Sequence, residues 1–244
     1  MKNNVFLFAI WPGVSLVCLF VGIGVRYVLT RTQMAKVKDE MSRWWNALCG
    51  SMLWQLSMGL LIAGHMAALV LPHVLLRWNA NPVRLYVLEG CAFVIGLAAT
   101  ISTAVVMWRH LGRAEESVLS EVFDTVFITM IFVGLLSGIG LAAIYRWGSS
   151  WAAITLTPYI SSLLRAKPAT DYVLEMPPLV RLHVFSAFAA IAVIPLTRLS
   201  YVLVYAVDAG LDLIGHGLRP LRALRSYADV LLHNLGSRLW PEED

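Results

Sequence analysis

Five stretches of roughly 20 apolar residues divide this 244-residue chain, and they leave few folds open to it. A helix that crosses the hydrocarbon core needs about 20 such residues, because the core is about 30 Å thick. Residues 6–27, 48–70, 86–108, 122–145 and 182–205 each meet that length. Backbone polar groups find no water in lipid, so they must bond within the segment, which a helix allows. The fold predicted is therefore all-α: an integral membrane bundle of five transmembrane helices. Composition agrees, with 59% hydrophobic and 14% charged residues, where soluble domains carry about a quarter charged. A disordered chain and a soluble enzyme are both excluded. The net charge of +4 comes without a dense Lys/Arg cluster, so nucleic acid is not a partner. Cys18, Cys49 and Cys91 stand far apart and no Cys-x-x-Cys-His occurs. That excludes covalent haem attachment and a cysteine-held cluster.

The first stretch has one early Lys and an apolar run, as a signal peptide does. It is long and lacks a small-x-small exit before Arg26-Tyr27, so it reads as a retained span. The connections then set the orientation. One side collects Arg26, Arg31, Lys36, Lys38, Arg43, Arg109, Arg113, Arg198, Arg219, Arg222, Arg225 and Arg238. The other holds Lys2, Arg77, Arg84, Arg146, Arg165, Lys167 and Arg181. The bias puts the N-terminus outside and the C-terminal tail in the cytoplasm. Between residues 146 and 179 the outer loop contains an apolar run from Trp151 to Leu164, with Trp147 before it. This reads as a short interfacial helix, and Pro177-Pro178 stop any helix before the fifth span. Residues 1–205 form the transmembrane domain and 206–244 a cytoplasmic amphipathic tail. Arg219, Arg222 and Arg225 in that tail suit a partner subunit or anionic lipid.

Two of the six histidines, His65 and His183, lie inside spans. A polar ring in hydrocarbon is costly unless it has a partner. The second and fifth spans run in opposite directions, and both rings fall in the outer half at similar heights. Two readings fit. One is a bis-imidazole b-type haem, with one ring on each face of the iron. The other is a histidine pair used for helix contact or substrate passage. Gly59, Gly64, Gly134, Gly138, Gly140, Ser186 and Ala187 are small enough to flank a wide flat porphyrin. The same residues also suit ordinary close helix packing.

Several motifs together resemble the cytochrome b membrane (gamma) subunit of respiratory nitrate reductase. They are Gly22-Ile23-Gly24-Val25-Arg26-Tyr27, Gly64-His65, Leu71-Pro72-His73, Arg181-Leu182-His183 and Pro195-Leu196-Thr197-Arg198-Leu199. The resemblance runs to the start of the tail. It implies an outer haem whose iron is held by His65 and His183, with Gly64, Gly138 and Arg181 around it. It also implies a second, cytoplasmic-side haem, but the matching positions carry Gln55 and Tyr201. Neither is a usual b haem ligand, so one haem is expected. The alternative is a second haem rescued by His110 or His216.

The same resemblance implies a quinol site beside the outer haem, with Arg84 matching its basic residue. A fixed cation there favours the quinol oxygen as its proton leaves. The alternative for Arg84 is a cation snorkelling to the interface. Glu89 is the only acid inside the third span. It is a candidate acceptor for a quinol proton, the alternative being a helix–helix hydrogen bond. Electrons would pass to an iron–sulfur subunit and a molybdenum-containing catalytic subunit on the cytoplasmic side, since this chain holds no such centres. The location implied is a bacterial or archaeal cytoplasmic (inner) membrane. Alternatives are a haem b subunit of a different quinone-linked complex, sulfur-linked or running toward quinone reduction, and a haem-free anchor.

Overall fold

The computed structural model of the chain describes residues 6–48, 51–112, 118–145 and 148–217, with side chains described for 6–42, 51–112, 122–145 and 148–214. Within these residues the chain is helical and has no strand. Five helices are long and apolar enough to span a membrane: Phe6–Ser42, Met52–Val70, Pro82–Leu111, Val122–Ile144 and Pro178–Leu196. The helices used below are α1 (Trp11–Thr30), α2 (Met34–Leu48), α3 (Met52–Val70), α4 (Pro72–Asn79), α5 (Pro82–Leu111) and α6 (Val118–Ile144). They continue with α7 (Gly148–Trp151), α8 (Thr157–Leu164), α9 (Asp171–Leu174), α10 (Pro178–Val193) and α11 (Ser200–Gly217). Arg113, Arg146, Trp147 and the tail beyond 217 lie outside the described residues, as do the side chains of Arg43 and His216.

Proline sets several starts. It is tolerated in the first turn, where its missing N–H would be unpaired anyway. Pro72, Pro82 and Pro178 each open a helix. At α5 the Asn81 side chain caps the turn, accepting from Val83 N at 3.0 Å and Arg84 N at 3.4 Å. The fifth span thus begins at Pro178, four residues before the expected Leu182. It also ends early. A 3-10 turn, Ile194–Leu196, is followed by extended Thr197, and α11 restarts at Ser200. Residues 182–205 are therefore not one helix, and α11 runs unbroken through the expected boundary at 205/206. Pro195 explains the break, because its ring and missing N–H interrupt the helix ladder.

The carbonyls freed by the break are partnered. Arg26 Nη1 donates to Pro195 O at 2.8 Å and Thr197 O at 3.2 Å. Buried Asp124 of α6 accepts from Arg198 N at 3.0 Å and pairs with Arg198 Nε at 3.5 Å. An irregular segment survives at membrane depth only when its backbone is satisfied this way.

The loop between the fourth and fifth spans forms a helix from residue 148 to 164, three residues longer at its start than expected. It comprises α7, a π turn at Ala152–Leu156, and α8. It caps one end of the bundle. Tyr159, fully buried, donates its hydroxyl to Phe8 O at 2.7 Å. Burial pushes the Tyr159 phenol up from its ordinary value, so it stays protonated and remains a donor. Thr157 donates to Ala68 O at 3.2 Å, and Asn79 Nδ2 donates to Ser149 and Ser150 Oγ, both at 3.0 Å. This cap end gathers the start of α1, the end of α3, α4, the start of α5 and the start of α10.

The main packing partners are α3 with α5, α5 with α6, α6 with α10, and α10 with α1. The spans follow one another round an arc, with α3 and α1 at its two ends. Close contacts inside the arc depend on glycine. A Cβ on Gly22 of α1 would lie 2.5 Å from Pro195 Cβ, whereas one on Gly24 would meet nothing within 4 Å. Glycine to alanine inside a helix ordinarily gains about 1 kcal/mol. Gly24→Ala should therefore be neutral or stabilising in a detergent melting experiment. Gly22→Ala should instead destabilise by about 1–3 kcal/mol, because overpacking outweighs the propensity gain.

Candidate functional site

His65 lies five residues before the end of α3, and His183 five residues after the start of α10. The two helices are antiparallel, so both rings sit about 7–8 Å below the cap end at 1.5 Å per residue. The rings meet across the arc. Their centroids are 6.1 Å apart and their planes differ by 24°.

Each ring is oriented by its Nδ1. In His65, Nδ1 is 2.7 Å from Leu61 O, one turn earlier on the same helix. In His183, Nδ1 is 2.8 Å from Gly134 O of α6 and 3.2 Å from Ser137 Oγ. A carbonyl oxygen can only accept, so the proton of each neutral ring is on Nδ1 and the lone pair is on Nε2. That is the tautomer and the outer hydrogen bond that metal-binding histidines use.

The spacing fits an iron between the rings. A metal–imidazole bond is about 2 Å, and each ring centre lies about 1 Å behind its nitrogen, so two axial rings have centres about 6 Å apart. Space is present beside α3: His65 is exposed, and a Cβ on Gly64 would meet nothing within 4 Å. On the other side the fit is close. A Cβ on Gly138 would lie 3.2 Å from His183 Cε1, so glycine lets the ring rest against α6. The residues present therefore fit a b-type haem. The family model for the nitrate reductase gamma subunit matches residues 4–209. The chain belongs to that family. It is a family of membrane cytochrome b subunits of quinol-linked nitrate reductase, and this chain is a multi-pass membrane protein. No curated protein matches the chain.

Gln55 and Tyr201, at the positions where the resemblance implies ligands of a second haem, sit in a different setting from the histidine pair. Tyr201, on α11, carries the Arg26 guanidinium 4.3 Å above its ring. Arg26 is at the same time bonded to the carbonyls of the break. Next to Gln55 in sequence, Trp54 donates to Thr103 Oγ1 at 3.1 Å and packs against the buried cluster of Val106 and Ile128. His110, at the end of α5, has Nε2 3.0 Å from Thr125 Oγ1. The Tyr201 ring is thus covered by a cation, and the Trp54 next to Gln55 is engaged with Thr103 and the Val106–Ile128 cluster.

Arg84 and Glu89 make separate contacts. Arg84 is exposed in the first turn of α5, with its guanidinium 5.2 Å from the Trp78 ring centre. A cation at a helix N-terminus opposes the helix dipole, so local helix energetics do not explain it. Glu89 is one and a half turns further on and leaves the helix about 140° round from Arg84. Its Oε1 accepts from Ser149 N at 3.4 Å and Ser149 Oγ at 3.2 Å. Arg181 is two residues from His183 and so leaves α10 on nearly the opposite face. Its Nε is shielded and has no hydrogen-bond partner among the described residues.

Sequence reasoning missed the partners that orient these groups. The Leu61 contact was readable, being four residues before His65 on one helix. Gly134 O, Ser137, Trp78 and Ser149 were not, because they depend on the register between helices. The tight Gly138 contact gives a test. Gly138→Val should displace the His183 ring at an overpacking cost of about 1–3 kcal/mol, and so weaken haem retention about fivefold or more. Haem per chain in the purified protein measures this.

Proposed function

We propose that this chain is the quinol-linked haem b subunit of a nitrate-reductase-type complex, with one haem held between His65 and His183. The observation that carries the reading is the histidine pair: centroids 6.1 Å apart, both Nδ1 atoms bonded to carbonyls, both Nε2 lone pairs left for a metal. A b-type haem bound there supplies one-electron transfer. The carbonyl oxygens of Leu61 and Gly134 accept from the two Nδ1 groups and fix the rings and their tautomer. Gly64 and Gly138 leave room, and Arg181 contributes a fixed positive charge at the same end of α10.

Arg84 is the residue proposed to act on quinol. Its charge favours the quinol oxygen as a proton leaves, and the Trp78 face holds the guanidinium in place. Glu89 is proposed to receive a proton. Positive charge in the connections puts the cap end outside and the tail in the cytoplasm, in a bacterial or archaeal inner membrane. Electrons then pass to an iron–sulfur subunit and a molybdenum-type catalytic subunit on the cytoplasmic side. The basic segment at residues 31–43 and the tail are the proposed contacts with these subunits and with lipid. One observation favours a second reading. Gln55 and Tyr201 stand where the second haem's ligands are expected, and the Tyr201 ring is covered by Arg26, which supports an inward electron path without a second haem. This suits a different quinone-linked complex, sulfur-linked or running toward quinone reduction.

A pyridine haemochromogen assay should give one haem per chain, and a value near two would refute the single-site assignment. His65→Ala and His183→Ala should each abolish haem, while Gln55→Ala and Tyr201→Phe leave it unchanged. Arg84→Ala should slow haem reduction by quinol about tenfold or more while haem content is kept. An unchanged rate would remove Arg84 from the quinol site.

A further inference from the structure

At the cap end, a polar chain joins the third span to the cap. Glu89 is the only acid on α5, and its Oε1 accepts from both the backbone N–H and the hydroxyl of Ser149. Ser149 Oγ in turn accepts from Asn79 Nδ2 at 3.0 Å, as does Ser150 Oγ. Asn79 is 7% exposed, yet its Oδ1 is shielded and without a partner among the described residues. A buried acceptor left spare beside a carboxylate network calls for an explanation.

Hydrogen-bond direction supplies one. In the arrangement seen, Glu89 is an acceptor only, which suits a carboxylate. If Glu89 gains a proton, its new O–H can donate to Ser149 Oγ. The Ser149 hydroxyl must then find another acceptor. A half-turn of the Asn79 amide exchanges its two ends and brings Oδ1 to where Nδ2 was. Oδ1 can then accept from both Ser149 and Ser150. Among Glu89, Ser149, Ser150 and Asn79 the number of hydrogen bonds is the same in the two arrangements, and each leaves one end of the amide unpaired. These partners can therefore serve the acid in either form.

We propose that Glu89, with Ser149 and Asn79 as positioning residues, holds one of the two protons released when quinol is oxidised at the cap end. The proposal rests on the quinol reading above and deepens it. Both quinol O–H bonds break: one proton forms an O–H bond on Glu89 and the other passes to water at the cap end. The two electrons would be taken up by the redox centres of the complex, of which a haem held by His65 and His183 would be the first. Glu89 later loses the proton to water at the cap end and returns to the carboxylate. The titratable groups carried at this end by the elements packed on α5 are His65 on α3, His73 and Arg77 on α4, and Tyr145 just after α6. Arg84 and Tyr86 are on α5 itself, and α7 carries none among the described residues.

The test is an infrared difference spectrum of the intact complex in membranes, reduced with menadiol. A protonated-carboxyl band should appear in the wild type and vanish in Glu89→Gln. It should move in frequency in Ser149→Ala and Asn79→Leu, and return in Ser149→Thr, which keeps the hydroxyl. Haem reduction by menadiol should slow about tenfold or more in Ser149→Ala, with haem content and the dithionite-reduced spectrum unchanged. If menadiol reduces the wild-type haem but Glu89→Gln removes no band, the proposal is overturned and the quinol reading stands. The assignment of Ser149 and Asn79 is likewise overturned if the band is insensitive to Ser149→Ala. If menadiol does not reduce the wild-type haem, the quinol reading falls and the proposal falls with it.

Discussion

Every backbone polar group in a membrane span must find its partner inside the protein, and the departures from helix in this chain follow from that requirement. The break after α10 is the clearest case. Pro195 ends the ladder, and the exposed carbonyls of Pro195 and Thr197 would be costly in lipid. Arg26 from α1 donates to both, and Asp124 from α6 takes the Arg198 amide. One irregular turn is thus held by the first, fourth and fifth spans together. Gly22 is what lets α1 come close enough to do it.

The same rule shapes the histidine pair. Leu61 O and Gly134 O each face a ring Nδ1, so each ring presents its lone pair on Nε2. Packing then decides where the rings point. The rings of α3 and α10 face one another, and Gly138 allows the Nδ1–Cε1 edge of the His183 ring to come close to α6. The cap closes the same end through Tyr159, Thr157, Asn79 and Ser149. The histidine pair, Arg84, Glu89 and the cap consequently share one end of the bundle. The opposite end is built differently, with Arg26 over the Tyr201 ring and Trp54 packed against Val106 and Ile128.

Much of this was legible from residue order. The five spans follow from apolar length, the histidine depths from their distance to the helix ends, and the family from motifs such as Arg181-Leu182-His183. Gln55 and Tyr201 were visible as departures at two positions. The fifth span was drawn too long, to residue 205, because its apolar character continues through a break that Pro195 imposes. The cap helix began three residues early for a similar reason: hydropathy marks where apolar residues lie, and Gly148-Ser149-Ser150 is polar while still helical.

What the sequence determined by itself is the set of elements and their chemistry: five apolar helices, two histidines at one depth, an arginine and an acid on the third span. Length against bilayer thickness and 1.5 Å of rise per residue are local rules, so one dimension suffices to apply them. Tertiary structure alone decided which carbonyl each histidine faces. It also decided that Glu89 turns to Ser149 while Arg84 turns to Trp78, and that Arg26 covers Tyr201. Those outcomes depend on the rotation and register of one helix against another. They are set by side chains far apart in the chain, such as Gly138 against His183 and Gly22 against Pro195, whose contact no local pattern encodes.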